Sequence, residues 1–119
     1  MTDWNRVKHF TRDEFGHSDG IEPAPNLVYM LDQARSLAGI PFAINSGIRT
    51  PERNAAVGGA PESAHLGGYA VDIAANTSRE RFVILRALIS VGFTRIGIGR
   101  TFVHADVDPD KAPEVAWLY

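Results

Sequence analysis

The segment Phe102-Val103-His104-Ala105-Asp106-Val107 alternates between apolar and polar residues. Strict alternation is the period of a β-strand, whose successive side chains point to opposite faces. Val103, Ala105 and Val107 then share one face, and His104, Asp106 and Asp108 the other. Such a strand has to lie on a core with one side and display ionisable groups on the other. Ala70-Val71-Asp72-Ile73-Ala74 reads the same way, with Val71 and Ile73 on one face and Ala70, Asp72 and Ala74 on the other. Placed as neighbours, the two strands would each offer a polar side chain above a shared apolar underside.

The remaining segments supply helices to cover that underside. Pro25 to Ala38 carries Leu27, Leu31, Ala34 and Leu37–Ala38 at helical spacing, with Pro25 suited to a first turn. Gly39 and Pro41 end it. A second helix opens at Thr77-Ser78-Arg79-Glu80, where Thr followed three later by Glu has capping-box spacing. Its expected core residues are Phe82, Val83, Leu85, Leu88 and Ile89, and Gly92 closes it. Pro41 to Asn45 reads as a strand, and a short helical turn starts at Pro51. Asn54 to Ser63 contains Gly58-Gly59 and Pro61 and reads as a loop. Arg95 to Gly99 and Phe102 to Val107 form a hairpin. Residues 1–23 read as an irregular arm with one capped turn at Thr11–Glu14, anchored by Phe10 and Phe15. Residues 108–119 read as a tail in which Trp117 and Tyr119 pack back or, with Trp4, form a sugar- or peptide-binding edge, with Asp108 and Asp110 in a solvated turn around Pro109. Helices and strands mix without a βαβ rhythm, so the expected class is α+β, a small antiparallel sheet flanked by helices.

With 119 residues the chain has room for one domain and one core. The net charge of −2 offers no basic footprint for nucleic acid. No apolar run is long enough for a membrane span. The N-terminus lacks the apolar middle of a secretory signal. The expectation is therefore a monomer that starts in the cytoplasm, with host-cell lysis as one route to an outside target. Cysteine is absent, which excludes disulfides and thiolate metal sites, so any metal must be held by His and carboxylate.

His65, Asp72 and His104 are such a set. Two imidazoles and one carboxylate can hold a single zinc ion and leave its fourth position open, as a hydrolase requires. Zinc held this way keeps about one unit of positive charge, which lowers the pKa of a bound water toward roughly 7. Periodicity alone leaves a second reading open, in which His104 and Asp106 are simply a solvated strand face.

The strings SGIRTPERNAAVGGAPESAHLGGYAVDIA, RIGIG and FVHADV together resemble the zinc D-Ala-D-Ala carboxypeptidase family of peptidoglycan peptidases. That family shares its fold with the hedgehog signalling domain and includes phage endolysins. The resemblance runs from about Phe10 to Val107. It rests on Ser46-Gly47-x-Arg49, Asn54, Gly58-Gly59, Ser63-x-His65, Asp72 and the late His104-x-Asp106. It implies zinc ligation by His65, Asp72 and His104, a cleft lined by Arg49 and Ser63, and a substrate drawn from the stem peptides of bacterial cell wall. The bond implied is of the D,D type or between L-Ala and D-Glu, and a phage or prophage lysis module is the implied setting.

Arg49 suits a grip on a substrate carboxylate or an oxyanion, or a structural ion pair. Ser63 suits a substrate hydrogen bond or a loop cap. In one respect the chain departs from the family. Many members carry a glutamate general base three residues before the last zinc histidine, and Thr101 stands there. Asp106, about 6–7 Å along the strand from His104, is the replacement base or else orients a ligand histidine. Glu62 and His17 are remoter candidates. Thr101 also favours a second reading, a zinc-containing binding module, and a metal-free structural domain is a third.

Overall fold

The apolar stripe between Pro25 and Ala38 is a helix in the structure, a computed structural model that describes all 119 residues. Helix α1 (Pro25–Ala38) starts on its proline, where a missing amide hydrogen costs no bond. It stops at Gly39, whose φ of 68° lies in the left-handed region that glycine adopts without strain. Leu27, Val28, Leu31 and Ala34 are its buried face. Helix α2 (Pro51–Ala56) begins at Thr50, whose hydroxyl accepts from the Arg53 amide. Helix α3 (Ser78–Ser90) begins at Thr77, whose hydroxyl accepts from the Glu80 amide.

Five strands form one sheet: β1 (Ile44–Ser46), β2 (Ala70–Ala74), β3 (Arg95–Ile98), β4 (Phe102–Asp106) and β5 (Val115–Leu118), in the order β1-β2-β4-β3-β5. The central pairs are antiparallel, with Asp72 opposite His104 and His104 opposite Gly97. Val71, Ile73, Val103, Ala105 and Ile96 face α1 and α3 and join the main core with Phe10 and Phe15. The polar residues at the alternate positions are thereby turned to the opposite face. No helix is long and apolar enough to cross a membrane.

The structure corrects several expectations. The tail is not merely packed back: Val115–Leu118 adds β5 to the sheet, parallel to β3, so the sheet is mixed. The first strand starts at Ile44 rather than Pro41 and runs to Ser46. Pro41 has no amide hydrogen to give to a ladder. The expected loop from Asn54 begins later, because Asn54–Ala56 complete α2. The N-terminal arm holds two short 3-10 turns, Trp4–Arg6 and Arg12–Phe15, instead of one. Asp108 is buried rather than solvated and pairs with Lys111.

The core face of α3 is also displaced from the expected one. Ile84, Ala87 and Leu88 are buried, whereas Phe82 and Ile89 are each 62% exposed. Positions 84, 87 and 88 fall in one sector of a 3.6-residue helix. Phe82 and Ile89 are seven apart and form a second ridge, turned away from the sheet. Replacing Leu88 by Ala should therefore cost about 2–5 kcal/mol in urea unfolding, and replacing Ile89 by Ala no more than about 0.5 kcal/mol. Equal losses would contradict this packing.

Candidate metal centre

Alternation along β2 and β4 delivers Asp72, His104 and Asp106 to the face away from the helices. His65 arrives from a 3-10 turn, Ala64–Gly67, just before β2. Ser63 caps that turn, its hydroxyl accepting from the His65 amide at 3.2 Å. The His65 Nδ1 lies 2.8 Å from the Gly47 carbonyl, which can only accept. Nδ1 therefore carries a proton, and Nε2 faces Asp72 Oδ1 at 3.3 Å.

His104 completes the set. Its Nδ1 lies 2.9 Å from Asp72 Oδ1 and its Nε2 lies 2.6 Å from Asp106 Oδ2. One ligand atom from each of His65, Asp72 and His104 falls within 4.8 Å of the others, so a single ion could touch all three. The donor set fits a small divalent cation: two imidazole nitrogens and one carboxylate oxygen, with room for a further ligand. All three residues are nearly excluded from water, at 2%, 8% and 5% exposure. Burying ionisable groups is costly unless partners satisfy them, and here each one faces another.

These partners set the charges. Burial by itself would raise the Asp72 carboxyl, but hydrogen bonds from His104 and His65 outweigh it and hold the group far below the usual carboxylate range. Burial would lower His104, yet the hydrogen bonds to Asp106 and Asp72 raise it above the usual imidazole value. Asp106 is held low despite burial, first by His104 and then by its further bonds to the Asp108 amide and Arg95. Both Asp106 oxygens are engaged, Oδ2 by His104 and Oδ1 by Arg95 Nε at 2.7 Å and the Asp108 amide at 3.2 Å.

A cleft of about 580 Å³ opens over the centre, lined among others by Arg49, Ser63, Lys111, Trp117 and Tyr119. Arg49 is fixed from three sides: Nε donates to Ser46, Nη1 to Asn54 and Nη2 to Asp72 Oδ2 at 3.2 Å. It is both ion-paired and on the cleft wall, so the two readings of Arg49 are compatible. Ser63 likewise caps its turn and lines the cleft. Thr101 sits exposed in the turn between β3 and β4, away from the cleft. His17 is exposed beside Asp13, and Glu62 is exposed with its carbonyl accepting from Lys111. The structure does not bring either to the centre.

Of the residues around this centre, Arg95 is the one to which sequence reasoning gave no role, and Asn54 entered only through the motif. Arg95 bridges Asp106 and the Ala112 carbonyl and lies over the Trp117 ring at 5.0 Å. Asn54 is buried and joins Arg49 to the Ala60 carbonyl. Trp117 stands 5.4 Å from the His104 ring. A readable signal existed in Arg95-Ile96-Gly97-Ile98-Gly99. Glycine at alternate positions leaves one strand face bare, and a neighbour's large side chains can fill it. A Cβ on Gly97 would lie 2.6 Å from both Trp117 Nε1 and Tyr119 Cε2.

A family model described as Peptidase M15 matches residues 6–108. No curated protein matches the chain.

The close approach at Gly97 makes a prediction. Gly97→Ala should force β5 away from the centre, lowering stability by roughly 1–3 kcal/mol and shifting tryptophan emission to the red. Unchanged stability and emission would show that the rings do not rest on Gly97.

Proposed function

We propose that this chain, which belongs to the Peptidase M15 family, is a zinc-dependent peptidase that cuts amide bonds in peptidoglycan stem peptides. The observation that carries this reading is the buried His65–Asp72–His104 group at the floor of a cleft walled by Arg49. One zinc ion held there would polarise the scissile carbonyl and make water nucleophilic at neutral pH. Zinc is the ion that the family uses, and two imidazoles with one carboxylate suit it.

The chain's own residues then have distinct tasks. Arg49 is pre-oriented by Ser46, Asn54 and Asp72, so its remaining donors are available to a developing oxyanion or a substrate carboxylate. Ser63 offers a hydroxyl on the same wall. Asp106 holds the Nε2–H of His104, which leaves Nδ1 as the coordinating nitrogen. Because both of its oxygens are engaged, we assign Asp106 to positioning His104 rather than to taking a proton from water. The substrate is a stem peptide of either the D,D or the L-Ala-D-Glu type. A monomer acting on the wall after release from a lysed cell is the setting we propose.

Mass spectrometry of peptidoglycan fragments after incubation with the zinc-loaded chain tests the activity. New peptide termini should appear, vanish with chelator, and identify the bond. Arg49→Ala should lower kcat/KM by about 10²–10³-fold. Asp106→Asn should weaken zinc binding by roughly 10–100-fold in a chelator competition. A variant that loses activity at full zinc affinity would return Asp106 to the role of base. Thr101, in the place of the family's usual glutamate, favours a second reading as a zinc-containing binding module. Bound zinc without cleavage of any wall type would select that reading.

A further inference from the structure

The face of the sheet that carries the metal centre is a grid. One row runs Ser46, Asp72, His104, Gly97, Trp117 across all five strands. Two residues along β4 and β5, Phe102 and Tyr119 stand beside this row, their ring centroids 4.9 Å apart. The rings of Trp117 and Tyr119 lean over the bare glycine of β3 toward His104, at 5.4 and 6.4 Å. Trp117 is enclosed by Arg95, His104 and Tyr119. Tyr119 is different: it lines the cleft yet stays 65% exposed.

Position decides what an exposed aromatic there can do. Arg49 follows β1 at one edge of the sheet, and Tyr119 follows β5 at the other. The metal ligands lie between them. A peptide crossing the cleft over His104 therefore meets a cation on one side and a phenol on the other. All of β5 lies beyond the residues that the family model matches.

We infer that Tyr119 is a substrate-binding residue, its ring forming the cleft wall across from Arg49 and its hydroxyl donating to a main-chain carbonyl of the bound peptide. The inference rests on the peptidase reading above for the class of ligand. Trp117 is the support that keeps Tyr119 in place. An aromatic wall of this kind adds contact area at little entropic cost, because the ring has only two side-chain torsions.

The test uses the zinc-loaded full chain and a synthetic stem pentapeptide, L-Ala, γ-linked D-Glu, a diamino acid, D-Ala and D-Ala. Tyr119→Ala should raise KM at least about tenfold, by more than it lowers kcat, with zinc content unchanged. Tyr119→Phe, which keeps the ring and loses the hydroxyl, should fall between. Wild-type KM in both variants would overturn the inference. The same peptide is also titrated in a Trp4→Phe background, where Trp117 is the sole tryptophan of the two. If no bond is cut, the peptidase reading fails alone and emission decides the inference. A saturable change that Tyr119→Ala weakens at least about tenfold upholds it. No change, or one insensitive to Tyr119, overturns it.

Discussion

Asp72 and His104 face one another across the central strand pair, 2.9 Å apart between Oδ1 and Nδ1. A carboxylate and an imidazole on adjacent strands of a buried sheet face would be a liability if either stood alone. Here everything around them answers that cost. His65 brings a second imidazole to the same oxygen, and Arg49 takes the other oxygen. Asp106 and Arg95 close the far side of His104. The charges alternate outward from the centre, so no ionised group lacks an opposite neighbour. Removing one member would leave a buried charge without its counterpart, which costs more than the pair contributes.

The sheet makes this arrangement possible by dividing labour between its faces. Val71, Ile73, Val103 and Ala105 lie under α1 and α3 and are fully excluded from water. The apolar face supplies stability through burial, and the polar face is then free to hold groups that stability alone would not select. β-strand period ties the two together: a register slip of one residue would put His104 in the core and Val103 in the cleft. The packing of the helices thus sets the geometry of the candidate metal centre, even though neither helix contributes one of its three side chains.

Much of this was legible in the sequence, and the parts that were not share a physical reason. The bounds of α1 and β2 could be read because Pro25, Gly39 and strict alternation act locally. The grouping of His65, Asp72 and His104 follows from two strands having to be neighbours. The buried face of α3 was misread by including Phe82 and Ile89, because a helix rich in apolar residues offers more than one stripe and only the partner chooses between them. β5 was missed because Val115-Ala116-Trp117-Leu118 is short and its pairing partner lies elsewhere in the chain. Arg95 looked like one end of a hairpin strand. Its role depends on Asp106 lying on the adjacent strand and on Ala112 in the turn beyond, which no local pattern encodes. The glycines of β3 were the available clue to Trp117 and Tyr119.

X-ray absorption at the zinc edge, on the zinc-loaded chain and on His104→Ala, would show whether His65, Asp72 and His104 hold the ion. One zinc per chain is expected, bound only by nitrogen and oxygen at about 2.0–2.2 Å. Scattering from two imidazoles should appear, reduced to one in His104→Ala. A zinc shell without imidazole, or one unchanged by the loss of His104, would contradict this ligand set.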